Sequence, residues 1–185
     1  VPRAGLNAAR VVERAAELMD AHPTDELSLA ALAKDLGVQT PSLYKHVNGL
    51  GQLRSAVTYS AKTELARDLA AATVGLSGPC AARALADAYR DYARRHPALY
   101  PLTVRAPEAG DHADEQISAA LLGIVHAALG THRLNETDAV HAVRVFRATV
   151  HGFISLESSG AFALPESTDQ SFALAVERAL GVQTR

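Results

Sequence analysis

The strongest constraint on this chain is a pair of short apolar stripes on either side of Gly37. In Leu27–Leu36 (LSLAALAKDL), Leu29, Leu32, Ala33 and Leu36 fall on one helical face. Ser28 is a natural N-cap for that helix, and Gly37 suits its end because glycine reaches the left-handed conformation without a Cβ clash. A second helix is expected almost at once, capped by the Thr40 hydroxyl, with Pro41 at the first helical position. At about 100° per residue, Leu43 and Val47 share the inward face and Lys45 points outward. Pro41 and Asn48 flank Lys45 on one side and Ser42 on the other, with Tyr44 and His46 at the margins. The outer face therefore offers hydroxyls, an amine, an imidazole and a phenol, and no carboxylate. A helix, a tight glycine turn and an outward-polar helix make a helix-turn-helix, whose second helix can enter a major groove. Spacing alone describes an ordinary helical hairpin equally well; the residue types favour nucleic acid.

The rest of the chain reads as helical throughout, with no sustained period-two alternation. Asn7 caps a first helix to about His22, with Val12, Ala15, Ala16 and Met19 inside and Arg10, Glu13, Arg14 and Glu17 outside. Asn48–Gly51 turns into a long helix over 52–72 carrying Leu53, Val57, Leu65 and Leu69. The Gly, Ser and Pro of residues 73–79 mark a linker. Helices follow over 80–96, 99–105, 111–129, 135–159 and 169–180. In the first, Asp87, Arg90, Asp91 and Arg94 are expected outside. The helix over 135–159 is apolar on more than one side (Val140, Val143, Val145, Phe146, Val150, Phe153, Ile154, Leu156), which calls for burial on two sides. The expected organisation is a helix-turn-helix domain suited to DNA over 1–50, a connecting helix over 51–72, and a C-terminal domain over 73–185, whose regulatory and dimerisation role is what the family resemblance given below implies.

Net charge is −2, so the chain is no general nucleic-acid coat, yet no acidic residue occurs from Leu36 to Thr63, where Lys45, Arg54 and Lys62 lie. The Val1–Gly5 arm carries Arg3. The single cysteine, Cys80, excludes an internal disulfide and fits a reducing cytoplasm, as does the lack of an apolar leader or membrane-length run. The 37 alanines favour closely packed helices. No H-x-x-x-H, P-loop, nucleophile elbow or dinucleotide fingerprint is present, and the Glu108/Asp111 and Asp114/Glu115 pairs suit helix starts. No enzyme activity, metal or cofactor is expected.

LSLAALAKDLGVQTPSLYKHV resembles the DNA-binding core of the TetR family of bacterial transcription regulators, over roughly Leu6 to Val57. The segment HGFISLESSGAFALPE (151–166) resembles a sequence found at this place in one subgroup. The resemblance implies a homodimer joined through a four-helix bundle, a palindromic double-stranded DNA operator, and a small-molecule effector whose binding is transmitted by the long helix after the recognition helix. Carried onto this sequence, Lys45 meets phosphate, Tyr44 and Ser28 position the head, and Thr40, Pro41, Ser42 and His46 face base edges. Ala30 and Leu50 stand where tetracycline-responsive members carry a base-reading arginine and a phosphate-binding lysine, so operator sequence does not transfer, nor does tetracycline as ligand. Amphipathic and aromatic side chains that can line an effector cavity are Tyr89, Tyr92, His96, Tyr100, His126, Phe146, Val150 and His151. The rival reading is a small-molecule receptor or enzyme that keeps the helical scaffold without acting through DNA.

Overall fold

The computed structural model describes residues 6–181; the Val1–Gly5 arm with Arg3 lies outside the described residues. Among the described residues all regular structure is helical, as expected of an all-α chain. The elements are α1 (Ala8–Ala21), α2 (Leu29–Leu36), α3 (Thr40–Leu43), α4 (Leu50–Thr73), α5 (Gly78–Arg95), α6 (Tyr100–Thr103), α7 (His112–Leu129), a single 3-10 turn (Thr131–Arg133), α8 (Glu136–Ser158) and α9 (Thr168–Ala179). Among the described residues no helix is long and apolar enough to cross a membrane. The chain divides into two compact units, one comprising residues through Glu64 with His96–Ile117, the other Leu65–Arg95 with Ser118 onward.

In the first unit, local capping sets the helix starts. The Asn7 side chain accepts the Arg10 N–H at 2.9 Å and begins α1. The Ser28 hydroxyl accepts the Ala31 N–H at 3.1 Å and begins α2, which Gly37 ends at φ 68. The inner stripe of α1 is centred on Val11 and Ala15, both fully buried, rather than on Val12, Ala15, Ala16 and Met19. Two adjacent apolar pairs, Val11/Val12 and Ala15/Ala16, leave the stripe's centre undetermined by periodicity; Val12, Ala16 and Met19 form its half-buried flank. A two-pronged Arg14–Asp35 pair ties α1 to α2 and holds the Asp35 carboxyl below its ordinary range. Behind these helices Val11, Leu32, Leu43, Val47, Leu53 and Val57 form one apolar cluster, each side chain stabilising by about 2 kcal/mol.

One buried polar contact in this unit departs from the sequence reading. Lys62, read from the sequence as part of the positive face, is 1% exposed and reaches Asp114 Oδ1 at 2.5 Å and the Arg105 carbonyl at 3.2 Å. It belongs to the inside of the fold because a partner 52 residues away neutralises it.

In the second unit, α8 packs on α9 and α5. Phe146, Val150 and Ile154 of α8, Phe172 and Val176 of α9, and Leu85, Tyr89 and Tyr92 of α5 are buried. Arg90, expected outside, is 5% exposed. Its guanidinium meets Glu157 at 2.9 and 2.5 Å and Asp169 at 2.8 Å, and lies 4.7 Å from the Phe172 ring centre. A guanidinium can enter a core when its planar fork is satisfied bidentately and its face is covered by an aromatic ring. These contacts, with Arg94, hold the Glu157 carboxyl down at about 2. One face of α8 and α9 stays uncovered: Val145 is 52% exposed, Leu156 50% and Leu174 41%.

Candidate nucleic-acid interface and the rings of the second unit

The segment after Gly37 differs from expectation at its start. Thr40 is the first residue of α3 and the capping position falls to Gln39, which makes no side-chain capping bond; Pro41 sits in the first turn. An extended Gln39 already delivers the chain to the helix, so the Thr40 hydroxyl is left for other partners. Regular helix ends at Leu43 and Tyr44–His46 continue as a turn. The His46 N–H donates to the Leu43 carbonyl at 2.8 Å and the Val47 N–H to the same oxygen at 3.0 Å. The two faces nonetheless separate as read from the sequence: Leu43 and Val47 are buried, while Pro41, Lys45 and Tyr44 are exposed, Tyr44 at 57%. Thr40, Ser42 and His46 are half-buried beside them.

Among the described residues Lys45 makes no ion pair, so its charge is open to a phosphate. Ser28 sits half-buried at the start of α2, its oxygen accepting from Ala31 while its hydroxyl proton is free to point elsewhere. With Lys62 inside, the positive character of the stretch is carried by Lys45 and Arg54.

Of the eight residues expected around an effector cavity, the second unit holds Tyr89, Tyr92, His126, Phe146, Val150 and His151. Tyr89 and His151 meet edge to face, ring centres 5.1 Å apart. Burial, with Arg147 adding to it, pushes His151 down to about 4, so this imidazole is neutral at pH 7; burial pushes the Tyr89 phenol up to about 12. Tyr92, Phe146 and Val150 are core. His126 is engaged locally: its Nδ1 lies 2.7 Å from the Thr131 hydroxyl, which also donates to the His126 carbonyl at 3.3 Å, bracing the turn at Gly130.

His96 and Tyr100 belong to the first unit, which resumes after α5 ends at Arg95 just before Pro97. His96 Nδ1 lies 2.7 Å from Asp20 Oδ2, and the other Asp20 oxygen accepts the Ala98 N–H at 3.1 Å, so this histidine fixes the α5–α6 corner to α1. Among the described residues no group of three or more His, Cys, Asp or Glu is placed to hold a metal ion.

Sequence reading missed a cleft of about 600 Å³ in the first unit, lined by Arg54, Ser55 and Thr58 of α4 and by Arg105, Glu108, Asp111 and Asp114 around the α6–α7 connection. The available signal was Arg54/Thr58 at i, i+4 on one helix face. Its partners across the cleft are about fifty residues distant, and no local pattern links them.

An all-helical chain that sets an outward-polar helix-turn-helix on a buried back is a DNA-reading regulator by class. Residues 82–179 match the family model described as "Tetracyclin repressor-like, C-terminal domain". Two similar proteins are named HTH-type transcriptional regulators: YobS of Bacillus subtilis (strain 168), 32% identical over 95% of this chain and 91% of its own length, and Rv0681 of Mycobacterium tuberculosis, 36% identical over 85% and 72%. A protein of unknown function from Rhodococcus sp. RHA1 is 25% identical with TM-score 0.79 over 97% of each chain. The fold is shared with ActR of Streptomyces coelicolor in complex with (S)-DNPA, at 20% identity and TM-score 0.67, covering 96% of this chain and 97% of that one. The chain belongs to the TetR family of helix-turn-helix transcriptional regulators, and its function is DNA-binding regulation of transcription.

Proposed function

We propose that the chain acts in the bacterial cytoplasm as a homodimeric repressor that grips a palindromic operator and lets go when a small molecule occupies it. The observation that carries this reading is the exposed Tyr44–Lys45 pair, backed by buried Leu43 and Val47, in a stretch free of carboxylates. Lys45 takes a phosphate, Tyr44 and Ser28 position the head, and Thr40, Pro41, Ser42 and His46 meet base edges. Two such heads related by a two-fold axis contact half-sites about 34 Å apart, one helical turn, or a little more. The uncovered apolar side chains of α8 and α9 (Val145, Leu156, Leu174) are suited to a second copy of the chain in an interhelical dimer contact.

On this reading an effector binds against the Tyr89–His151 pair of the second unit, and the complex of ActR with a small molecule supports a ligand-responsive scaffold of this kind. Helix α4 runs unbroken from Leu50 to Thr73 and is the covalent route from that region to the head. The ligand shifts head spacing only as far as its affinities for the two spacings differ.

The test is selection of bound duplexes from a random pool, repeated with Lys45→Ala and Tyr44→Ala. Enrichment of one palindrome is expected. Lys45→Ala should weaken binding evenly across sequences and lower the salt slope by about one for each phosphate that the lysine neutralises. Absence of any enrichment at low salt would sink the reading.

A further inference from the structure

The cleft of about 600 Å³ in the first unit falls within the size range of small-molecule sites, roughly 300–1,000 Å³. Its charges are unusual. Asp114 is taken by Lys62 at 2.5 Å, and Lys62 also holds the Arg105 carbonyl, so the wall made by the α6–α7 connection is anchored on α4. Arg54 and Arg105, from opposite walls, make no hydrogen bond or ion pair through their guanidinium groups with any described residue, and the Glu108 carboxylate makes none either. Asp111 uses one oxygen to accept the Asp114 N–H at 3.1 Å and keeps the other. Two cations and two anions thus face one space without closing on each other. The Ser55 and Thr58 hydroxyls add hydrogen-bonding groups, and Met19 and Leu102 supply apolar surface.

We propose that this cleft is a regulatory binding site for a small zwitterion, a molecule carrying a carboxylate and an ammonium on a short apolar body. A simple anion entering here meets Glu108 and Asp111, and a simple cation meets Arg54 and Arg105, so each is opposed by half of the lining. A ligand with both charges satisfies both halves and displaces the water that separates them. The site differs in place from the Tyr89–His151 region, and all its lining residues belong to the unit that carries the helix-turn-helix. Its α4 wall begins at Gly51, four residues after Val47 closes the recognition segment. Occupancy therefore acts on the head from within its own unit. The regulatory half of the proposal rests on the DNA-binding reading; the binding half does not.

The probes are unbranched ω-amino acids of increasing length, with alkyl carboxylates and alkylamines of matching length as single-charge controls. Amide resonances of full-length protein are followed on titration, and operator affinity is measured with and without the tightest probe. Zwitterions of one length are expected to move the Ser55, Thr58 and Asp111 resonances, while the controls bind at least tenfold more weakly. Arg105→Gln and Glu108→Gln, both at exposed positions and checked by thermal melting, should each weaken that binding at least tenfold. Saturation with the probe should change operator affinity by threefold or more. Equal binding of the alkyl carboxylates, unchanged binding in Glu108→Gln, or no response to any probe at millimolar concentration overturns the site. Binding without a change in operator affinity overturns its regulatory role. A protein that binds no DNA at all defeats the DNA-binding reading instead and leaves the resonance titration to decide the site.

Discussion

The two units differ in how their most deeply placed charges are arranged. In the second, Arg90, Arg94, Glu157 and Asp169 neutralise one another across α5, α8 and α9, and His151 is kept neutral beside Tyr89. In the first, one pair, Lys62–Asp114, is buried and closed, while Lys45, Arg54 and Arg105 face outward or into a cleft with no internal ion-pair partner. Charges that neutralise each other specify a packing; charges left open are available to something that is not the chain. On the proposed reading, the open charges around α3 and the start of α4 are the ones left for DNA, while the paired charges of the second unit hold α5, α8 and α9 together.

The sharpest way to break this contrast is to open the closed pair of the first unit. Lys62→Met removes the ammonium that the buried Asp114 carboxylate meets and should cost about 3–5 kcal/mol in urea unfolding. The double variant Lys62→Met/Asp114→Leu should recover most of that loss; failure to recover would mean that the pair does more than neutralise itself.

Acid should act first on the second unit. Folding lowers His151 from its ordinary 6.5 to about 4, so the native state resists protonation. Its contribution is full above pH 6.5 and is lost as pH falls toward 4, a swing of about 3 kcal/mol. Glu157, lowered from 4.5 to about 2, contributes above pH 4.5, and that contribution fades as pH falls toward 2. Hydrogen exchange from pH 7 to 4 should therefore show α5 and α8 losing protection before α1 and α2. A His151→Gln variant should flatten that first window, and equal loss in both units would refute the contrast.

The smallest effect belongs to a single cap. Ser28→Ala removes the acceptor for the Ala31 N–H and should lower stability by about 1 kcal/mol while speeding exchange at the start of α2. Unchanged exchange there would show that α2 is held by packing of Leu32 and Ala33 alone.

Much of the fold is legible because its signals are local. Asn7 and Ser28 cap the helices that the sequence assigns to them, and Leu43 and Val47 turn inward as their spacing requires. The outward set Pro41, Tyr44 and Lys45 follows from that same spacing. Thr40 reads as a cap and is not one, because Gln39 already has the extended backbone of that position, which residue type does not reveal. Arg90 reads as exposed and is buried, because its acceptors, Glu157 and Asp169, lie on two other helices.

By itself, then, the sequence determined the helical class, the helix starts after Asn7 and Ser28, and the inward and outward faces of the segment after Gly37, since each depends on residues within a turn or two of one another. Tertiary structure decided which charges are paired and which stay open. Lys62 is inside because Asp114 is 52 residues away and within reach, His96 braces a corner because Asp20 meets it, and Arg54 and Arg105 face one cleft because α4 and the α6–α7 connection form its two walls. Burial and pairing depend on what the folded chain brings near, and sequence distance carries no record of that.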